Sequence, residues 1–145
     1  MINMLSGDEI SIQEGYYNQK RGFSTARALN DILKELSDLY WVVSAAVIRR
    51  DGILMASNMT RPAGSDSKNA CALISATIVG AAKNITTKCR MGFPKLIIIQ
   101  AKEGDIIISE AGSKALLVCL TNERYHPTLM SPEINRAAQS VAAIL

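Results

Sequence analysis

Val42-Val-Ser-Ala-Ala-Val-Ile-Arg49, Arg50-Asp51-Gly52, Ile53-Leu-Met-Ala-Ser57: two apolar runs stand on either side of an Asp-Gly pair. Asp-Gly in that setting is a strong hairpin signal, because both turn residues must tolerate positive φ. The stretch therefore predicts an antiparallel pair of strands over 42–49 and 53–57.

Upstream, Leu29, Ile32, Leu33, Leu36 and Leu39 recur at helical spacing, with Asp31, Lys34, Glu35 and Asp38 on the other side. They predict a helix over 24–39, with Ser24 or Thr25 available as N-cap. Downstream, a polar loop over 58–65 leads into a long helix over 66–90. Ser65 or Asp66 can cap it, and Gly92 followed by Pro94 stops it. A three-strand meander over 95–101, 105–110 and 114–121 follows, with turns at Glu103-Gly104 and Gly112-Ser113. Turns this short force antiparallel neighbours. Leu96-Ile-Ile-Ile99, Ile106-Ile-Ile108 and Ala115-Leu-Leu-Val-Cys-Leu120 do not alternate, which predicts a sheet covered on both faces. After a loop over 122–130, Ser131-Pro132-Glu133 reads as cap, N1 proline and acidic first turn of a last helix. Its buried stripe is Ile134, Ala138, Val141 and Leu145.

The long helix carries more apolar surface than a lone helix needs. Cys71, Ile74, Ile78, Ala81/Ala82, Ile85 and Cys89 form a stripe expected to lie on the sheet. Ala70, Leu73, Thr77, Gly80 and Asn84, with Ala76 beside them, form a second stripe of small, weakly polar residues. Gly80 costs about 1 kcal/mol of helix propensity relative to alanine, so a small-residue stripe containing it suggests close approach of another helix. A third line holds Lys68, Ala72, Ser75, Val79, Lys83, Thr86 and Arg90.

A chain of 145 residues with 48% apolar content suits one domain with its own core. Residues 1–22 show no clear period and are read as a flexible extension, with Tyr16-Tyr17 its only sticky spot; the domain proper covers 23–145. The charge of +3 is spread without a dense basic run, which argues against nucleic acid. Three widely spaced cysteines, Cys71, Cys89 and Cys119, argue against a disulfide framework or a zinc site. No signal-peptide pattern opens the chain and no apolar run nears the roughly 18 residues of a membrane span. The expectation is a cytoplasmic protein with no membrane insertion.

Leu29-x-x-Ile32-Leu33-x-x-Leu36, the Val43–Ser57 hairpin text, the Ala-rich helix and the three apolar strands together resemble the roadblock/dynein-light-chain (longin-like) family over 24–145. That resemblance implies an α/β (α+β) domain of order α-β-β-α-β-β-β-α. A single five-stranded antiparallel sheet would lie between the long helix on one face and the N- and C-terminal helices on the other. It also implies a homodimer or a pairing with a related roadblock subunit. The long helices would mate antiparallel, and the sheets would join through the strand at 95–101. The expected dimer residues are Ala70, Leu73, Ala76, Thr77, Gly80, Asn84, Leu96 and Ile98. A strand as apolar as Leu96–Ile99 would invite aggregation if its edge stayed open, which agrees.

The family binds or regulates Ras-like small GTPases, so the resemblance implies a non-catalytic regulator or scaffold. Lys68, Ser75, Lys83, Thr86 and Arg90 are its candidate partner contacts. No cofactor or metal is expected. The chain has neither GxxxxGK[ST] nor GxGxxG, so it is not itself a GTPase. His126, the one histidine, has no serine or cysteine beside it in sequence and is read as solvated. Arg61 and Arg90 are arginine-finger candidates, although each is explained more simply, as a loop charge and as a helix C-terminal cation. Two alternatives stay open: a passive dimerisation scaffold in a signalling or motor complex, and a small-ligand sensor.

Overall fold

The computed structural model describes residues 24–60 and 64–145. Helix α1 covers 24–37, followed by β1 (Val42–Arg49), β2 (Leu54–Ser57), α2 (Ser65–Lys88), β3 (Leu96–Ala101), β4 (Gly104–Ala111), β5 (Ala115–Thr121) and α3 (Pro127–Ile144). The five strands form one antiparallel sheet in the order β2-β1-β5-β4-β3, so β2 and β3 are its edges. The expected element order and sheet are both present.

Two cores explain the non-alternating strands. Leu29, Leu33 and Leu36 of α1 and Ile134, Ala138 and Val141 of α3 close over Ala45, Val47, Ile107, Leu117 and Cys119. On the opposite face, Ala72 of α2 joins Ala46, Ile48, Ile108, Leu116 and Val118. Neighbouring residues along β1 and β5 thus feed different cores. Each buried Leu, Ile or Val contributes about 1.5–3 kcal/mol relative to its exposed state. Trp41 packs on Tyr125 with ring centroids 5.0 Å apart, tying the start of β1 to the segment before α3.

Asn58 locks the layers together. Its Oδ1 accepts from the Ala45 N–H at 2.7 Å and its Nδ2 donates to the Leu33 carbonyl at 3.0 Å. One side chain therefore joins the exit of β2, the middle of β1 and α1.

Strand ends shift from expectation by at most one residue and α1 stops two residues early, at 37; the ends of α2 and the start of α3 depart further. Helix α2 takes Gly64 as its N-cap, with φ 88° and no side-chain cap, so the expected caps Ser65 and Asp66 fall inside the first turn. The helix closes on Arg90 rather than Gly92. Arg90 has φ 56°, its N–H bonds the Thr87 carbonyl, and the Met91 N–H bonds the Thr86 carbonyl. These two bonds form a Schellman motif with arginine in the glycine position. Helix α3 starts at Pro127, so Pro132 lies inside it and Ser131 does not cap. The Ser131 hydroxyl is 3.3 Å from Tyr125 Oη instead. The flexible extension expected over 1–22 lies outside the described residues.

Candidate self-association and partner surface

Helix α2 lies over one face of the sheet and makes its nearest approach to β1 and β2. Its buried line is not the one expected. Ala72 and Ser75 are its buried residues, Ser75 only 5% exposed with its Oγ donating to the Cys71 carbonyl at 2.8 Å. Lys68, Val79, Ala82 and Thr86 flank that line half-buried. The stripe expected to rest on the sheet is instead largely open: Ile74 is 60% and Ile85 66% exposed, and Ala81 and Cys89 are exposed as well.

The reason is steric. The small residues Ala72 and Ser75 let the helix backbone settle on Ile48, Leu116 and Val118, whereas isoleucine in those places would hold it away. Close approach at the hairpin then fixes the rotation of the helix. Leu73 and Ala76 lie against Gly52 at the tip of the β1–β2 turn, so that flank faces the hairpin. Roughly half a turn away, the flank of Cys71, Ile74, Ile78 and Ile85 faces the β3 side. Beneath it, Ile97, Ile99, Ile106 and Leu120 are only half-covered.

The expected dimer residues consequently separate. Ala70, Leu73, Thr77, Gly80 and Asn84 are exposed and Ala76 is half-buried, all on the hairpin side or the outer face. A β-carbon built on Gly80 meets nothing within 4 Å. Leu96 and Ile98 sit on β3, which no other strand flanks on its outer side among the described residues, with Leu96 exposed and Ile98 half-buried.

The expected partner contacts do not gather into one patch. Lys68 lies near the start of α2 and Arg90 just past its end, almost the length of the helix apart. Ser75 is withdrawn by burial, which corrects its assignment as a surface contact. Thr86 donates its hydroxyl to the Lys83 carbonyl, and the Lys83 ammonium stands 4.6 Å from the centre of the Phe93 ring. Arg61 lies outside the described residues. Charge supplies a signal that the residue-by-residue reading missed. From 67 to 102 the chain holds six cations (Lys68, Lys83, Lys88, Arg90, Lys95 and Lys102) and no acid, all thirteen carboxylates lying elsewhere. Next to these stand exposed Met91, Phe93 and Leu96. Apolar surface with a basic rim suits an acidic protein partner.

Little else among the described residues offers chemistry. His126 is exposed at the N-cap of α3. Burial pushes the Cys119 thiol up to about 12. Among the described residues, no group of three or more His, Cys, Asp or Glu side chains could hold a metal. An open groove of about 150 Å³ between α1 and α3 is lined by Ile32, Leu36, Glu133 and Arg136. Another of about 170 Å³ lies beside the β3–β4 turn. Both fall below the roughly 300–1,000 Å³ of small-molecule sites.

A family model described as the Roadblock/LC7 domain matches residues 28–121. Among solved structures, the gliding protein MglB from Thermus thermophilus is similar with a TM-score of 0.71 and 20% identity, over 83% of this chain and 90% of that one. An MglB with a tetrameric arrangement has a TM-score of 0.72 and 21% identity, over 83% and 89%. A Roadblock/LC7 domain from Streptomyces avermitilis has 0.68 and 15%, over 81% and 94%. At these identities the likeness is one of fold. No curated protein sequence matches the chain.

Proposed function

Because the chain belongs to the Roadblock/LC7 domain family, we propose that it is a dimeric regulator or scaffold that binds a Ras-like small GTPase and modulates its nucleotide cycle. The observation that carries this reading is the open, apolar β3 side of α2 together with the β3 edge. A 24-residue helix with Ile74 and Ile85 well over half exposed, above half-covered isoleucines of the sheet, is an incomplete layer. A second copy, or a related roadblock subunit, completes it by laying its own α2 alongside and extending the sheet through β3. The solved MglB with a tetrameric arrangement supports self-association in proteins of this fold.

The GTPase would meet the paired α2 helices and their ends, where the acid-free run from 67 to 102 gives a positive field. Regulation of this kind acts by holding the switch loops of the GTPase and needs no reactive group on the platform. The protein would work in the cytoplasm, where such GTPases cycle. The test is pull-down of GTP-loaded against GDP-loaded small GTPases from the same genome, with hydrolysis followed in parallel. Preference for the GTP form with an altered hydrolysis rate supports regulation. Binding indifferent to nucleotide, with an unchanged rate, replaces it by a passive scaffold.

A further inference from the structure

Helix α2 carries two thiols that this reading leaves unused. Cys71 is half-buried and Cys89 exposed, and both are free. They are eighteen residues apart in sequence, about five turns at 3.6 residues per turn, so they share one side of the helix. Helical geometry persists to the second of them, since the Cys89 N–H bonds the Ile85 carbonyl at 3.0 Å. Their side is that of Ile74, Ile78 and Ile85, the flank turned away from Gly52 and toward β3. The two thiols thus mark both ends of the open apolar stripe.

We propose that oxidation by a small-molecule disulfide closes the paired α2 helices reversibly through two equivalent disulfides, each joining Cys71 of one copy to Cys89 of the other. The proposal rests on the self-association reading and adds its register. A two-fold that joins the sheets edge to edge through β3 runs the helices antiparallel, and covering the whole stripe then sets their midpoints level, near Gly80. That register places Cys71 opposite the partner's Cys89 at one end and the reverse at the other, and sets Ile78 opposite the partner's Ala82, large against small.

Distances permit the bond. With axes about 8 Å apart and crossing at about 20°, nine residues from the midpoint is about 13.5 Å along each axis, where the axes are about 9 Å apart. Each Cα lies about 2.3 Å inward of its axis. The two Cα atoms are then about 5 Å apart, inside the roughly 4.4–6.8 Å of disulfides. A crossing of about 50° would leave them about 9 Å apart, too far to bond.

The oxidant is a low-molecular-weight disulfide of the glutathione class. The Cys89 thiolate attacks one of its sulfurs, forming a mixed disulfide and releasing one small thiol. The partner's Cys71 thiolate then attacks Cys89 Sγ and releases the second. Each bridge thereby reduces one small disulfide to two thiols, and the protein thiols lose two electrons and two protons. Cys119 takes no part, being fully buried in β5.

The test uses the full chain incubated with oxidised glutathione, quenched with an alkylating agent and run on non-reducing gels, with the linked peptides identified by mass spectrometry. The expected product is a covalent dimer of twice 15.7 kDa containing 71–89 peptides, lost on adding reductant. Cys71→Ser and Cys89→Ser should each abolish it. Covalent dimer surviving in Cys71→Ser, or a 71–71 or 89–89 link in the wild type, overturns the register. Light scattering under reductant separates the two claims. A dimer that fails to form 71–89 links overturns this proposal alone, whereas a monomer overturns the self-association reading and this proposal together.

Discussion

Leu73 occupies the space in front of Gly52: a β-carbon on that glycine would sit 2.8 Å from Leu73 Cδ1 and 3.0 Å from Leu73 Cα. Gly52 also has φ 95°, so two independent demands converge on it. Helix α2 can press on the hairpin only because the turn presents bare backbone there. Gly52→Ala should cost at least the roughly 1–2 kcal/mol of a left-handed alanine, with more from displacing the helix. Urea unfolding of the purified protein gives the number: a loss of only about 1–2 kcal/mol would mean that the contact yields easily, and one under about 0.5 kcal/mol would contradict both demands.

Asn58 invites the opposite experiment, removal of a side chain that satisfies two backbone groups on different elements. Asn58→Leu leaves the Ala45 N–H without its acceptor and takes from the Leu33 carbonyl a second donor beyond its bond within α1. A buried group left unsatisfied costs about 1–3 kcal/mol, and Asn58 is half-buried, so a loss of about 1–2 kcal/mol is expected. Hydrogen exchange should localise the effect, with faster exchange at Ala45 and across α1.

Arg90 offers a gain. It holds the left-handed position of the Schellman turn at φ 56°, a conformation that glycine adopts without the side-chain penalty. Arg90→Gly should raise stability by about 1 kcal/mol, seen as a higher melting temperature. The offsetting loss of a cation near the helix C-terminus is about 0.3–1 kcal/mol and is screened by salt, so the gain should be larger at high ionic strength.

Cys119 governs an alkaline limb. Burial raises its thiol to about 12 from 9.0, so the folded chain keeps a proton that the unfolded chain releases above pH 9. The unfolded state then binds fewer protons and stability falls as pH rises, by up to about 1.4 kcal/mol per pH unit between 9 and 12. Below pH 9 both states are protonated and the group is neutral to stability. Comparing unfolding of wild type and Cys119→Ala at pH 8 and pH 10 isolates the effect from other titrating groups. The variant should start less stable, because it leaves a cavity, and lose about 1 kcal/mol less between the two pH values.

Most of the architecture was legible because each turn declares itself: Asp51-Gly52, Glu103-Gly104 and Gly112-Ser113 bracket runs too apolar to be anything but covered strands. Two kinds of information were not. The caps of α2 depend on backbone conformation at Gly64 and Arg90, and an arginine in a left-handed turn gives no sequence signal. The rotation of α2 about its axis was ambiguous because three lines along it contain apolar or small residues. Size misled there: the isoleucine stripe looked like core, yet Ala72 and Ser75 are the residues thin enough to let the helix down onto β1. Burial of Ser75 follows from that choice, and so does the exposure of Ile74 and Ile85.

That rotation can be tested on the assembled protein. If the β3-facing flank mates, Ile85→Glu buries an unpaired charge in the apolar seam near the partner's Ile74 and Ile78 and should halve the mass measured by light scattering, with the circular dichroism of the folded chain retained. Gly80→Glu projects from the other side, where its side chain meets open space, and should leave the mass unchanged apart from about 1 kcal/mol of gained helix propensity. The reverse pair of results would assign mating to Ala70, Leu73, Thr77, Gly80 and Asn84. Because both variants introduce the same charge on the same helix, the comparison reports which flank is covered and not the cost of charge itself.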